Sequence, residues 1–236
     1  TAVANKIRFI NPSTNPLQAY TLTDISMVDV NQGTVSGALT VADTDELKKL
    51  ALLCGVAQPS AAASDCYIDL EEGAFRDMET AVVASGHSNG AQRGEVVALV
   101  VDTIKPLLVS YTLDMSVASS QLKMSLTFSE TVDPSTMVAG RMGLTGALTG
   151  GAVIGLGLST TASSVGTVVE IIVNEVNADD VKLVLGVAAL ESNTFLALAE
   201  GFIQDAANNA IEQVIQAVAT AGYSVDDVAP KISSLT

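Results

Sequence analysis

Residues 106–128 read PLLVSYTLDMSVASSQLKMSLTF, and the order of apolar and polar side chains in this stretch decides the fold class. Every second residue is apolar in two runs, at Leu107, Val109, Tyr111, Leu113 and Met115 and then at Leu122, Met124, Leu126 and Phe128. Successive side chains of a strand point to opposite sides of its sheet, so this period of two predicts two half-buried β-strands.

The same signal recurs on both sides of this stretch. Ile7 and Phe9 flank Arg8 in the alternating pattern, and the Val-rich runs 96–101 and 168–173 predict strands that are buried on both faces. Short strands separated by turn signals are typical of a β-sandwich, so the fold is predicted to be mostly β. An α+β domain with more helix is the alternative.

The composition limits the classes of function. The chain has 236 residues and a formal net charge of −15, with 48% hydrophobic and 16% charged residues. This is too apolar for a disordered chain. An acidic protein repels phosphate, so we expect no nucleic-acid partner. No apolar run reaches the length of a membrane-spanning helix, so we expect no membrane insertion. The length predicts two domains.

An internal repeat indicates where these domains lie. Six segments match in the same order: Pro12-Ser13-Thr14 with Pro134-Ser135-Thr136, Leu22-Thr23 with Leu144-Thr145, residues 43–50 with 177–184, Gly55-Val56-Ala57 with Gly186-Val187-Ala188, residues 67–77 with 195–205, and Val101-Asp102 with Val225-Asp226. Six colinear matches predict two tandem modules that meet near residues 102–106.

Each module carries one predicted helix. Asp43 with Glu46 three residues later fits a capping box, and Asn177 takes the capping place in the second module. Apolar side chains then recur on one helical face, at Leu47, Leu50, Ala51 and Cys54 in the first module and at Val181, Val184 and Leu185 in the second.

The stretch 106–136 resembles the Ig-like repeats of algal surface proteins. Leu126-Thr-Phe-Ser-Glu130 and Val132-Asp-Pro-Ser-Thr136 are similar to segments of the sexually-induced, mastigoneme-type repeat family of stramenopile algae, and the first is also similar to bacterial adhesin-type Ig-like repeats. The family's helix pattern is matched loosely by residues 45–48. The resemblance implies two tandem Ig-like β-sandwich modules, each with one short helix, in an extracellular protein that builds filaments or coats. It carries over no catalytic residue.

The two modules differ at their ends. Module 1 (residues 1–103) is predicted to lack the first strand that opens module 2 (104–227), and residues 228–236 form a spare strand similar to 106–112. The sequence is then a window of a longer tandem chain, or the spare strand completes the next copy by donor-strand complementation. The predicted donor strand is Pro230, Lys231, Ile232, Ser233, Ser234, Leu235 and Thr236, and the predicted acceptor edge is Ala4, Ile7 and Phe9.

Cys54 and Cys66 are the only cysteines. An even count is compatible with one disulfide that closes a small loop, which would indicate an oxidising, extracellular compartment. Two reduced thiols in a cytosolic protein are the alternative. Pro12 excludes N-glycosylation of Asn11-Pro12-Ser13, so glycans as partners rest on O-linked sugar or on lectin-like binding.

Three patterns resemble active or ligand sites. Residues 86–90 match the nucleophile elbow G-x-S-x-G, but the only His, His87, lies inside it and cannot serve as the later base. The glycines between 150 and 157 lack the Lys of a phosphate loop and predict a hairpin. Four carboxylates near the module junctions could hold Ca²⁺, namely Asp102, Glu130, Asp226 and Asp227; a solvated acidic surface is the alternative.

These features favour a structural subunit of an extracellular filament or surface appendage, assembled head-to-tail from copies of itself. The alternative is a cell-surface adhesive or ligand-binding Ig-like module, whose loops would carry the binding site. We expect no enzyme, because no set of acid, base and nucleophile can be assembled from the sequence. No resident cofactor other than the possible Ca²⁺ is expected.

Overall fold

The computed structural model describes residues 3–12, 14, 16–29, 36–50, 53, 66–71, 73–75, 94–95, 102–117, 121–219 and 222–227. The chain divides into two compact units, Thr1–Thr103 (unit 1) and Ile104–Thr236 (unit 2). Strands predominate in both units, and the predicted mostly-β class is confirmed.

Unit 1 contains six of the described strands and one α-helix. In chain order they are β1 (Ile7–Asn11), β2 (Gln18–Thr21), β3 (Ile25–Asp29), β4 (Ser36–Leu39), α1 (Val41–Lys49), β5 (Tyr67–Leu70) and β6 (Gly94–Glu95). A four-stranded sheet has the order β2-β1-β5-β6, and β3 pairs with β4 in a separate two-stranded sheet. All these pairs are antiparallel.

Unit 2 contains ten of the described strands and the second α-helix. They are β7 (Leu108–Asp114), β8 (Leu122–Asp133), β9 (Met142–Thr145), β10 (Val153–Gly155), β11 (Thr160–Thr161), β12 (Gly166–Val173), α2 (Glu175–Leu183), β13 (Phe195–Leu198), β14 (Gln204–Asp205), β15 (Val214–Ala217) and β16 (Tyr223–Ser224). One sheet has the order β10-β9-β13-β15, and the other has the order β11-β12-β8-β7-β16 with β14 also pairing with β8.

The core of unit 2 is one continuous cluster of buried apolar side chains. Of its 24 described members, eight come from β7, β8 and the residue that follows β7: Tyr111, Leu113, Met115, Leu122, Met124, Leu126, Phe128 and Val132. The first two strands thus supply a third of this core. The predicted alternation of β8 is confirmed, since Leu122, Met124, Leu126 and Phe128 are all buried.

Two details of the predicted strands differ. The pairing of β7 with β8 shifts register between Leu108 and Ser110. A bulge of this kind reverses the facing of the residues before it, and Leu107 and Val109 are accordingly exposed. In β12 only one face is buried, because Val168 is exposed while Val169, Ile171 and Val173 are fully buried. The other Val-rich run, 96–101, lies outside the described residues.

The N-caps of both helices lie three residues before the predicted caps. Thr40 is the N-cap of α1, and its hydroxyl accepts a hydrogen bond from the Asp43 amide; Asn174 does the same for the Asn177 amide at the start of α2. Short polar side chains at this position satisfy amides that lack helical partners. The predicted apolar face of α2 is also too long, since the helix ends at Leu183 and Leu185 is almost fully exposed. Ala51 and Cys54 lie outside the described residues.

Candidate functional site

The two units repeat the same hydrogen-bond pattern, which fixes the residues that correspond. The matching backbone bonds, unit 1 first, are Val3 N–Ala74 O with Val138 N–Phe202 O, Glu71 N–Lys6 O with Ala199 N–Arg141 O, Leu22 N–Ile7 O with Leu156 N–Met142 O, and Leu53 N–Leu50 O with Val187 N–Val184 O. Strands β1 to β6 therefore correspond to β9 to β13 and β15, and α1 corresponds to α2.

This correspondence corrects the beginning of the predicted repeat. Leu22 corresponds to Leu156, and not to Leu144, which lies in the counterpart of β1. Residues 134–136 form a 3-10 helix directly after β8, whereas residues 12–14 follow β1, so their shared Pro-Ser-Thr is coincidental. The matches at the helix, at residues 67–70 and at Val101-Asp102 agree with the structure where it is described. The Gly55-Val56-Ala57 match lies outside the described residues.

The first turn of each helix is tied to the strand connection beside it. The buried Asp43 carboxylate accepts hydrogen bonds from the Tyr20 hydroxyl (2.7 Å), the Thr23 amide (2.9 Å) and hydroxyl (2.8 Å), the Asp24 amide (3.2 Å) and the Thr40 hydroxyl (3.0 Å). In unit 2 the same position is Asn177, whose Oδ1 accepts from the Leu158 amide (2.8 Å).

Burial and hydrogen bonds shift the pKa values of Asp43 and Tyr20 in this cluster. Burial acts to raise the pKa of Asp43, but the hydrogen bonds from Tyr20, Thr23 and Asp24 outweigh it and hold the pKa well below its ordinary value. Burial and the neighbouring Asp43 carboxylate raise the pKa of Tyr20 to about 12. Asp43 is therefore ionised and Tyr20 neutral at physiological pH, and the cluster serves the architecture of unit 1.

A second tie recurs in both units, between the helix and the end of the unit. Lys48 Nζ lies 2.6 Å from Asp102 Oδ2, and Lys182 Nζ lies 2.8 Å from Asp226 Oδ2. The pairs correspond residue by residue, which extends the repeat to the last described residues of each unit. Two of the predicted Ca²⁺ ligands are thus engaged by lysines.

The other two predicted Ca²⁺ ligands are Glu130, which is buried, and Asp227, which is exposed. A carboxylate oxygen of Glu130 lies within 4.8 Å of one of the buried Asp205, which was not among the predicted ligands. Asp205 accepts hydrogen bonds from the Ala207 amide (2.8 Å) and from the Asn209 amide (2.7 Å) and side chain (2.9 Å). Ca²⁺ binds carboxylate oxygens, so Glu130 and Asp205 are candidate metal ligands, and the Ca²⁺ site stays a prediction.

The clearest difference between the described parts of the two units concerns one pair of strands. In unit 2, β12 pairs with β11 on one side and with β8 on the other, and β7 continues the sheet beyond β8. In unit 1, the counterpart β4 pairs with β3 only among the described residues, and nothing that the structure describes occupies the positions of β7 and β8. The predicted lack of a first strand in module 1 stays a prediction. We call the unpaired side of β4, Ser36–Leu39, the open edge.

The open edge lies beside apolar side chains that are only partly covered. Gly37 and Leu39 of β4 correspond to Ile171 and Val173, which are fully buried in unit 2, yet Gly37 is exposed and Leu39 is half-buried. On β3, Ile25 and Met27 are also only half-buried. The described buried core of unit 1 consists of two clusters of three residues each. An unpaired strand beside exposed apolar surface is typical of a site for strand addition.

The predicted acceptor edge does not lie in the sheet of β4 but in the four-stranded sheet of unit 1. Ile7 and Phe9 belong to β1, which pairs with β2 on one side and β5 on the other. Its backbone groups are therefore occupied, and these residues do not lie on a sheet edge; Ala4 lies in the preceding 3-10 helix. The open edge was missed because the false match at residues 12–14 hid it. The distance from the start of β1 to the start of the helix, which is 34 residues in unit 1 and 33 residues from β9 to α2 in unit 2, is the signal that could have found it.

Several predicted residues lie outside the part of the chain that the structure describes. These are the donor strand 230–236, the nucleophile-elbow match 86–90 and Cys54. Cys66 is described and is 2% exposed. The disulfide between Cys54 and Cys66 stays a prediction, as does the donor role of the C-terminal segment.

Comparisons with protein families, with characterised proteins and with solved structures found no match to this chain. Within the described residues, neither α-helix has the length and apolar character needed to cross a bilayer.

Proposed function

We propose that the protein is a structural subunit of an extracellular filament or surface appendage, in which copies join head-to-tail. One observation carries the proposal: among the described residues β4 is paired on one side only, whereas its counterpart β12 is covered on both sides. A strand edge beside uncovered apolar side chains must be protected or it will pair with another chain. A contact between two different surfaces of one molecule need not close, so repeated copies form a filament.

The topology of unit 2 supports an Ig-like sandwich as the building block. Its two sheets have the orders β11-β12-β8-β7-β16 and β10-β9-β13-β15, with β14 also pairing with β8. An Ig domain has the strand order D-E-B-A in one sheet and C-F-G in the other. Assigning β7 and β8 as A and B makes β9 to β15 follow in the Ig order. Unit 1 then corresponds to strands C to G of the same fold.

Negative-stain electron microscopy of the purified chain, with light scattering across a range of concentrations, tests the proposal. We expect filaments with a regular repeat and an apparent mass that rises with protein concentration. A monodisperse monomer of 24.2 kDa at all concentrations would overturn the proposal and favour a monomeric adhesive module.

A further inference from the structure

We propose that the open edge is the acceptor for residues 228–236 of a second copy, which add as a strand beside β4. This inference rests on the proposed function and deepens it by naming the partner segment and the place where it pairs.

The comparison of the two units selects β4 from among the strand edges of unit 1. Strands β2, β3 and β6 also end their sheets, but their counterparts β10, β11 and β15 end the sheets of unit 2 as well. Unpaired edges at these positions are therefore common to both units. Of the edge strands that the structure describes in unit 1, only β4 has a counterpart that is interior, because β8 covers β12 through seven paired residues from Gly166 to Val173.

The side chains around the open edge define what the added strand must bring. In unit 2, β8 presents Leu122, Met124 and Leu126 to the core opposite Val173, Ile171 and Val169. At the open edge, Gly37 replaces the large side chain of Ile171, and Ile25 occupies the freed space: a Cβ on Gly37 would lie 2.7 Å from Ile25 Cδ1. The added strand therefore needs fewer apolar side chains than β8, since part of the space is already filled.

The C-terminal segment meets this requirement. The described chain ends at Asp227, and nine residues follow it. Fully extended, nine residues span about 30 Å, which exceeds the roughly 13 Å of a four-residue strand. In a given register, either Ile232 or Leu235 faces Leu39 and covers it. Residues 230–236 also share the Pro, Ser and Thr of residues 106–112, which lead into β7, so they are similar to a strand of this fold. In unit 2 that strand pairs with β8 and not with β12, so the position beside β4 is inferred from the length, apolar residues and charge of the segment.

Charge favours the same pairing. Residues 228–236 contain Lys231 and no acidic side chain, whereas unit 1 carries about twice as many acidic as basic residues. The side chains of the segment therefore add no negative charge when it approaches unit 1 of another copy. Screening by salt should weaken this contribution.

The test combines hydrogen exchange with light scattering on the same samples of the full chain. The variant I232D/L235D removes the apolar side chains of the segment, and S233D/S234D is the matched control with the same charge change. We expect the amides of Ser36–Leu39 to exchange at least tenfold more slowly in the wild type and in S233D/S234D than in I232D/L235D. The difference should grow with protein concentration. Adding a synthetic peptide of residues 228–236 to I232D/L235D should restore the protection.

The outcomes separate this inference from the proposed function. Assembly without added protection at Ser36–Leu39 overturns the acceptor assignment alone, and absence of assembly overturns the proposed function. Protection that does not depend on concentration means that each chain uses its own segment, which contradicts the second copy. A peptide of residues 121–133, the β8 sequence, is the competing ligand: if it protects the open edge and the 228–236 peptide does not, the occupant is a β8-like strand from another source.

Discussion

Replacing Asp43 by Asn should destabilise unit 1 by about 1–3 kcal/mol. In the best orientation the amide oxygen keeps the bonds from Tyr20 and Thr23, and the Nδ2 group faces the Asp24 amide, which is also a donor. The bond from the Asp24 amide is lost and two donors oppose each other there, whereas the Thr40 hydroxyl, which donates to the same carboxylate oxygen, can turn to accept from Nδ2. Leaving a buried polar group without its partner costs about 1–3 kcal/mol, and the loss of the carboxylate at the third helical position adds to it.

Hydrogen exchange at pH 7 can measure this loss locally. In peptides that cover residues 20–25 and 41–50, the opening free energy should fall by the stated amount, which accelerates exchange about fivefold to about 150-fold. Asn177→Asp in unit 2 is the matched control. It introduces a carboxylate at the corresponding place near a helix N-terminus, where negative charge is favourable, so we expect a change within about 0.5 kcal/mol.

The pH dependence follows from the lowered pKa of Asp43. A carboxylate whose pKa is lower in the folded state stabilises the fold above its unfolded pKa, near 3.9, and this stabilisation is lost as the pH falls through the folded value. Asn does not titrate, so the gap between wild type and Asp43→Asn should narrow below about pH 4. A gap that is constant from pH 7 to pH 2, or equal effects at positions 43 and 177, would refute this account of the cluster.

Three further substitutions test other parts of the structure. Tyr20→Phe should lower stability at neutral pH, and its difference in stability from wild type should narrow between about pH 10 and about pH 12 in alkaline denaturation. The raised pKa of Tyr20 stabilises the fold below the unfolded pKa near 10, and this contribution is lost as the pH rises through about 12. A difference that stays constant with pH would contradict the assignment. Gly146→Ala should cost about 1–3 kcal/mol in urea unfolding, since the new Cβ overlaps the Gly186 carbonyl oxygen, whereas Gly155→Ala, with open space around it, should be nearly neutral. Lys48→Met should lower the free energy of unfolding by about 1.5–3 kcal/mol, and by more than Lys182→Met does, because the Lys48–Asp102 pair is the less exposed of the two. Thermal unfolding of the two variants would show the reverse order if burial does not govern the strength of these pairs.

The sequence predicted most of what is periodic or local. The alternation in 122–128 identified β8, and the paired helices were found because their apolar and acidic residues recur in the same order. The helix starts were misplaced because Asp43 and Asn177 resemble caps. Their side chains instead accept bonds from the strand connection, and that tertiary role is not visible in the local pattern. The bulge in β7 was also missed, since alternation is extrapolated through any register shift.

Locating the open edge depended on the part of the repeat that sequence matching aligned least well. Pro-Ser-Thr and Leu-Thr are short motifs that recur by chance. The residues that truly correspond near the start of unit 1 share only apolar character, as Ile7 does with Met142, or an isolated identity, as Leu22 does with Leu156. Backbone hydrogen bonds identify them because they depend on the path of the chain and not on residue identity.

The chemistry of β4 itself argues that its open edge is an adapted feature of unit 1. If β4 were simply β12 with its neighbour removed, it would retain large apolar residues at the core-facing positions, and these would be exposed to water. Instead Gly37 stands where Ile171 is buried, Ser36 stands where Glu170 pairs with Lys123 of β8, and Ile25 fills the space over Gly37. Removing the cross-strand charge and reducing apolar exposure both lower the cost of a temporarily unpaired edge. Substituting Gly37→Ile should therefore clash with Ile25 and slow strand addition in the exchange assay, although it restores the residue found in unit 2.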